Sequence, residues 1–402
     1  MSILDNPQFA YAYKIRYPKG IPWTIYRDQN APFMMMVDKD PKATGESMIV
    51  PVEYSSATGR SSNIDKARAN QSPQKGKRFN LDWARDYAIV SVDRLTMKAS
   101  ESNEGAIVSA WSRSMKHGED RLRRSIAAGL AGDGSGAVGQ ILSISGTTIT
   151  FASNASSVQL EVDDILQANP NKTGNGGTMR AGTGRVTSID RQTGVLTFTA
   201  VGGWAPQNND WLYIDGDYDQ KMKGIQAWIP FTKPVSGDNF GGVDRSVDPV
   251  RLAGIRVDSS AAAGIIDAIQ SGMGIIRREG ALPSHIFCSM EDFNIAVKEA
   301  ESRRIVIEEV VTEYEVGVRA IRIGTALLFG DMYFPDGYAY PLNLESWTFE
   351  SVDDAPHIID DDGLDKRRTQ SGDGFGSEWA YYGNLKCEEP GTNAVIKLPT
   401  VR

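Results

Sequence analysis

Between about residues 103 and 130 apolar side chains return at three- and four-residue steps: Val108, Trp111, Met115, Leu122 and Ile126. Arg113, Lys116, Glu119, Arg121 and Arg124 occupy the other faces. This spacing predicts one long amphipathic helix, roughly Asn103 to Leu130. The period then changes. "ILSISGTTITF" alternates and is rich in β-branched residues, as are "GRVTSIDRQTGVLTF" and "DWLYIDGD", with Gly and Asn turns between them. Residues 141–222 therefore read as a small inserted β-barrel or sandwich.

The flanking chain is mixed. "MIVPVEY" and "YAIVSVD" are strand-like and are expected to pair as a long hairpin across a polar tip rich in Ser, Gly and Lys/Arg. Ile265, Ile269, Met273 and Ile276 mark a helix that stops at Gly280, and "HIFCS" is a short buried strand. Ser289 and Asp292 have S-x-x-D capping spacing ahead of a helix whose apolar face is Phe293, Val297 and Ala300. "RIVIEEVV", "VRAIRI", "ALLFGDMYF", "YAYPLN" and "SWTFESV" are strand-like runs, and a charged loop from Asp353 to about Ser377 precedes the closing "WAYYGNLKCEEPGTNAVIKL". Residues 1–38 carry Tyr11, Tyr13, Tyr17, Trp23, Tyr26 and Phe33 among prolines, with no sustained period. They read as an extended arm that packs on something else.

Gly134, Gly136 and Gly139 spell G-x-G-x-x-G. A dinucleotide loop needs these glycines after a strand and at the start of a helix, where free N–H groups meet the pyrophosphate. Here the order is helix, glycines, strand, so the glycines are expected to end the helix and turn the chain.

A chain of 402 residues suggests more than one folded unit, and 41% hydrophobic content suits a globular protein. No run of about 18 apolar residues occurs, so no membrane partner is expected. Nor does the start show a secretory signal pattern. Cys288 and Cys387 are the two cysteines, too few for a disulfide framework. A net charge of -8 argues against a dedicated nucleic-acid binder, although Arg60, Lys66, Arg68, Lys75, Lys77, Arg78 and Arg85 make one stretch basic.

Catalytic and metal chemistry find little support. His117, His285 and His357 stand in no zinc motif, and neither a G-x-S-x-G elbow nor a P-loop occurs. Asp215, Asp217 and Asp219 alternate, but Gln220 and Gln226 replace the Gly and bidentate Glu of a calcium loop. In "IIDDDGLDKRR" Ile358 replaces the first Asp. Both aspartate clusters are expected to be solvated turns, with no cofactor or metal, and the protein is expected not to be an enzyme.

The order of features resembles the major capsid proteins of tailed bacteriophages (Caudoviricetes), which have the HK97-like fold. Three stretches carry the resemblance: "RLRRSIAAGLAGDGSGAVGQI", similar to that family's spine helix and Gly-Asp-Gly turn; "LPSHIFCSMEDFNIAVKEA", similar to the strand and helix of its axial domain; and "WAYYGNLKCEEPGTNAVIKL", similar to its closing strands. The resemblance implies an α+β fold with an N-terminal arm at 1–38, an extended loop at 39–92, a peripheral domain at 93–140 and 340–385, and an axial domain at 223–339 and 386–402. It implies a self-assembling virion protein. Hexamers and pentamers of the chain would form an icosahedral shell around double-stranded DNA bound non-specifically, assembled in the host bacterial cytoplasm.

A portal is an implied partner, and a decoration protein is left open. Because no charged helix precedes the aromatic arm, a separate scaffolding protein is expected rather than a cleaved one. Inter-subunit contacts are expected from Tyr11, Tyr13 and Trp23 of the arm. Others are expected where the basic tip, Lys66, Arg68, Lys75, Lys77 and Arg78, meets the acidic Asp360, Asp361 and Asp362 of a neighbour. An encapsulin-like cargo shell is the alternative. An enzyme using the glycine loop and a β-rich tail or decoration protein are opposed by the reversed motif context and by the long helix.

Overall fold

A computed structural model describes residues 31–56, 58–94, 104–173, 178–303, 307–311, 317–360, 367–368 and 373–400. Tyr11, Tyr13 and Trp23, as well as Asp361 and Asp362, lie outside these residues. So do the side chains of Val108 and Trp111.

The periodic helix runs Glu104–Ala131. Its inward residues Met115, Leu122, Ile126 and Leu130 join one core with Val90, Trp379 and Tyr381. Those last three come from a six-stranded sheet, in which the 14-residue strand Gly374–Cys387 pairs antiparallel with Ala84–Asp93 along one side and with Trp347–Ser351, His357–Ile358 and Arg367–Arg368 along the other. Helix and sheet meet at Gly118, where a Cβ would stand 2.6 Å from Val90 Cγ2 and 3.3 Å from Trp379 Cδ1. The missing side chain is what lets the backbone come this close.

A seven-stranded mixed sheet holds a second core. Its order is Ile255–Asp258, Ala394–Lys397, Tyr338–Leu342, His285–Ser289, Ala326–Asp331, Gly317–Ile323 and Ile307–Val311. Helix Ile265–Arg278 buries Ile265, Ile269, Met273 and Ile276 against this sheet, and Gly280 follows at φ +89°. Ser289 caps helix Met290–Ser302, its Oγ accepting from Asp292 N at 3.1 Å. Phe293 and Ala300 are buried as expected, but Ala296 completes the face and Val297 is half-buried.

The insertion is a closed six-stranded barrel of Ala137–Ser145, Thr148–Phe151, Ile165–Asn169, Thr183–Asp190, Val195–Val201 and Trp211–Ile214. Alternation sends Ile141, Ile149, Leu166, Val186, Leu196 and Leu212 into a core of its own.

One expected pairing is wrong. "MIVPVEY" lies in strand Ser47–Ser55, which pairs with Lys75–Asp82, while "YAIVSVD" pairs with the long late strand. Lys75–Asp82 has only Phe79 and Leu81 as buried residues, so it looks like loop in the sequence. Those two side chains supply the hairpin's contact with the core. Ala88 and Val90 instead commit their strand to the spine helix.

Candidate assembly surfaces and the barrel junction

The hairpin is anchored at its base and bare at its tip. Phe79 meets Trp228 edge-on with centroids 5.1 Å apart, and Trp228 meets Phe240 at 5.1 Å. Arg245 lies 4.4 Å over the Phe240 ring, and it donates to Asp238 Oδ2 at 3.0 Å and to the Ala227 carbonyl at 2.7 Å. Burial pushes the Arg245 guanidinium below its ordinary value, against the pull of Asp238. Asn80 N donates to Gly241 O at 2.8 Å and Arg251 to Tyr54 O at 2.5 Å. Beyond this clamp, Asn63 caps the short helix Ile64–Ala69, which has no buried residue.

All five basic residues expected at the tip are on this hairpin and exposed: Lys66 and Arg68 on the short helix, Lys75, Lys77 and Arg78 on the returning strand. Arg68 pairs with Asp65 at 3.8 Å in the open. Asp360 is exposed just beyond His357–Ile358 on the six-stranded sheet, so it and the basic tip sit on separate elements of one chain.

The outer face of that sheet is a second surface, one that the sequence reading passed over. Ile89 is 75% exposed and Tyr87 50%. Tyr87 packs on Tyr382 with centroids 6.0 Å apart, and His357 also packs on Tyr382, at 5.7 Å. The alternation of "DYAIV" was its signal: Ala88 and Val90 face inward, so Tyr87 and Ile89 must face outward.

The third region is the junction between barrel and spine helix, a cleft of about 950 Å³. The glycines lie there as the reversed order implied, after the helix and before the strand. Gly134 and Gly136 have φ +82° and +76°. Asp133 accepts from Ser135 N at 3.0 Å and pairs with Lys172 Nζ at 2.7 Å. Burial alone would raise the Asp133 carboxyl, but the Lys172 charge and the Lys172 and Ser135 hydrogen bonds outweigh it and hold the carboxyl below the ordinary aspartate value.

Arg121 pairs with Asp164 of the barrel. Arg124 reaches Glu161 at 2.8 Å, and Glu161 also holds Arg191 at 2.8 Å. Asp217 is no solvated turn residue, contrary to expectation. It shares the Lys221 ammonium with Asp86, at 3.1 Å and 2.5 Å.

Other chemistry is quiet. Burial pushes the Cys288 and Cys387 thiols up, away from the nucleophilic thiolate, and pushes His285 down. Among the described residues there is no cluster of ligating side chains fit for a metal, and no helix is long and apolar enough to cross a membrane.

No described protein family and no curated protein matches the chain. Solved structures do. The chain is similar to a subunit of the cyanophage A-1(L) capsid asymmetric unit, with a TM-score of 0.53 and 11% identity over 93% of this chain and 94% of that one. It is also similar to the capsid of the native GTA particle (TM-score 0.46, 9% identity, 93% and 91% covered) and to the holo-SrpI encapsulin complex of Synechococcus elongatus PCC 7942 (TM-score 0.43, 8% identity, 98% and 98% covered). At those two scores neither bears on the fold. The chain thus has the α+β, HK97-like capsid fold with a closed barrel inserted after the spine helix.

Proposed function

We propose that this chain is the major capsid protein of a tailed bacteriophage, a structural protein whose hexamers and pentamers close into an icosahedral shell around double-stranded DNA. One observation carries the reading: the chain follows the cyanophage A-1(L) capsid subunit nearly end to end, over 93% of its length. On this reading the segments are those expected from the sequence, with extended loop 39–92, peripheral domain 93–140 and 340–385, insertion 141–222 and axial domain 223–339 and 386–402. The role is architectural rather than catalytic, and interfaces of about 2,000–5,000 Å² per contact are the size such assemblies use.

A separate scaffolding protein and a portal would join assembly in the host cytoplasm. Packaged DNA would be held without sequence reading, and a decoration protein would find exposed barrel residues such as Leu142 and Val201. Electron microscopy of purified particles tests the reading. Closed shells filled with DNA are expected; shells filled with protein cargo would indicate an encapsulin-like compartment, and dispersed monomers would sink both.

The clamped base and bare basic tip of the hairpin suit a contact with Asp360, Asp361 and Asp362 of a neighbouring subunit. Each exposed pair is worth only about 0–1 kcal/mol, so the set acts on register and rate. Reversing Lys75, Lys77 and Arg78 to Glu should slow assembly most at low salt. Reversing the three aspartates to Lys in the same chain should partly restore it. A double reversal no faster than the single one across a salt series would remove the pairing.

A further inference from the structure

At the junction between barrel and spine helix two carboxylates, those of Asp86 and Asp217, share one ammonium, that of Lys221. The chain leaves the barrel at Ile214 and turns through Asp215 to Gln220 before Lys221. Lys221 Nζ spends its three donors on Asp86 Oδ2 at 2.5 Å, Asp217 Oδ2 at 3.1 Å and Ser125 Oγ at 3.3 Å. Ser125 Oγ in turn donates to Asp86 Oδ2 at 2.5 Å. The Lys221, Asp86 and Asp217 side chains are only 15%, 18% and 19% exposed. Two carboxylates therefore face one ammonium in a site that water enters poorly.

Among the described residues, the further cation that acts on Asp217 is itself already paired. The spine helix contributes Arg121, which is paired with Asp164, and Ser125. The six-stranded sheet contributes Asp86 and the buried phenol of Tyr381. The turn itself adds Asp215 and Asp219, both acidic, and the glycine turn passes so close that a Cβ at Gly136 would stand 2.2 Å from the Asp217 carbonyl oxygen, while its Asp133 is held by Lys172.

Both crossings between barrel and core lie here, at 131–137 and 214–222, and both contain residues at positive φ: Gly134, Gly136, Gly216 and Asp219. The barrel's apolar core is separate from the core under the spine helix. Among the described residues, polar ties at this face run from Arg121 to Asp164, Arg124 to Glu161, Lys172 to Asp133 and Ser153 to Asp336.

We propose that Asp86, Asp217 and Lys221 form a proton-tightened clasp: uptake of one proton by the Asp217 carboxylate, which shares Lys221 with Asp86, draws the barrel's exit turn onto the spine helix, and loss of that proton loosens it. The direction is opposite to that of an ordinary salt bridge. Burial, with Asp86 adding to it, raises the Asp217 carboxyl from 3.8 to about 6 despite Lys221. Burial also works against the Lys221 charge, but Asp86, Tyr381 and Asp217 outweigh it and keep the amine above its ordinary value, so the cation persists throughout.

Between pH 4 and 6, roughly, the docked turn binds a proton that the released turn does not, so docking is favoured as pH falls through that window and weakens as it rises. Acidification from pH 7 to 5.5 should lower the open fraction about fourfold. That range stays above the isoelectric point of about 5.2.

Hydrogen exchange of the full chain, followed by mass spectrometry and corrected for intrinsic amide rates, reads this directly. Peptides covering 131–139 and 211–223 should gain about fourfold protection from pH 7 to 5.5, while barrel-core and axial-strand peptides stay level. Asp217→Asn should show the acid-level protection already at pH 7, with no step. Asp86→Asn, which leaves one carboxylate for one ammonium, should shrink the step and covers the case in which the first variant folds poorly. A flat wild-type profile, or an unchanged step in both variants, overturns the clasp.

Discussion

The spine helix meets two neighbours with two kinds of surface. Toward the six-stranded sheet it presents Met115, Leu122 and Ile126, each no more than 2% exposed, and a glycine where the sheet comes closest. Toward the barrel it presents Arg121 and Arg124, each engaged by a barrel carboxylate. The first contact is close-packed and apolar, with the Ser125–Asp86 hydrogen bond at its edge beside Lys221. The second depends on salt and, through Asp217, on pH. The contrast separates the part of this fold that is rigid from the part that can adjust. Helix and sheet form one body, and the barrel is an attachment held by charge.

The largest way to break the comparison is to open the apolar side. Trp379→Ala removes a fully buried indole from the helix–sheet contact and should cost about 3–5 kcal/mol of unfolding free energy by denaturant titration. A loss below about 1 kcal/mol would mean that this contact is not the rigid one.

Crowding the same contact should come next. Gly118→Ala gains about 1 kcal/mol in helix propensity, yet its Cβ would press on Val90 Cγ2 at 2.6 Å. Overpacking of about 1–3 kcal/mol should prevail, and Val90→Ala in the same chain should recover part of it.

The smallest effect belongs to the ionic side. A double-mutant cycle on Arg124 and Glu161 should give less than about 1 kcal/mol, fading as salt rises, because both side chains are nearly half exposed. A salt-independent coupling larger than that would erase the contrast between the two faces.

Much of this was legible before any coordinates. The helix ends at Ala131, one residue past its expected end, because Gly132 to Gly136 cannot continue it favourably. Ser289 caps the helix that its spacing announced. The barrel follows from alternation and turn residues. The pairing of Ser47–Ser55 was not legible, because the true partner, Lys75–Asp82, alternates charge with charge over its first half and shows its two apolar residues late. The acidic turn at Asp215 to Asp219 departs from the expected solvated turn for a related reason. Its spacing tested only the calcium motif, and nothing local says that Asp86, more than a hundred residues earlier, stands beside Lys221.

The sequence by itself determined what short-range physics controls: which segments are helix or strand, which side of each is apolar, where glycine must turn the chain, and that a β-unit interrupts a mixed core. Those properties depend on neighbours within a few positions, and their periods survive in one dimension. Only the tertiary structure decided which strands pair, which face of the six-stranded sheet is left with Tyr87 and Ile89 in the open, and which charges share a counter-ion. Strand pairing and Coulomb energy depend on distances in space between residues far apart in the chain, so Asp86, Asp217 and Lys221 became one group only when the barrel was set against the spine helix.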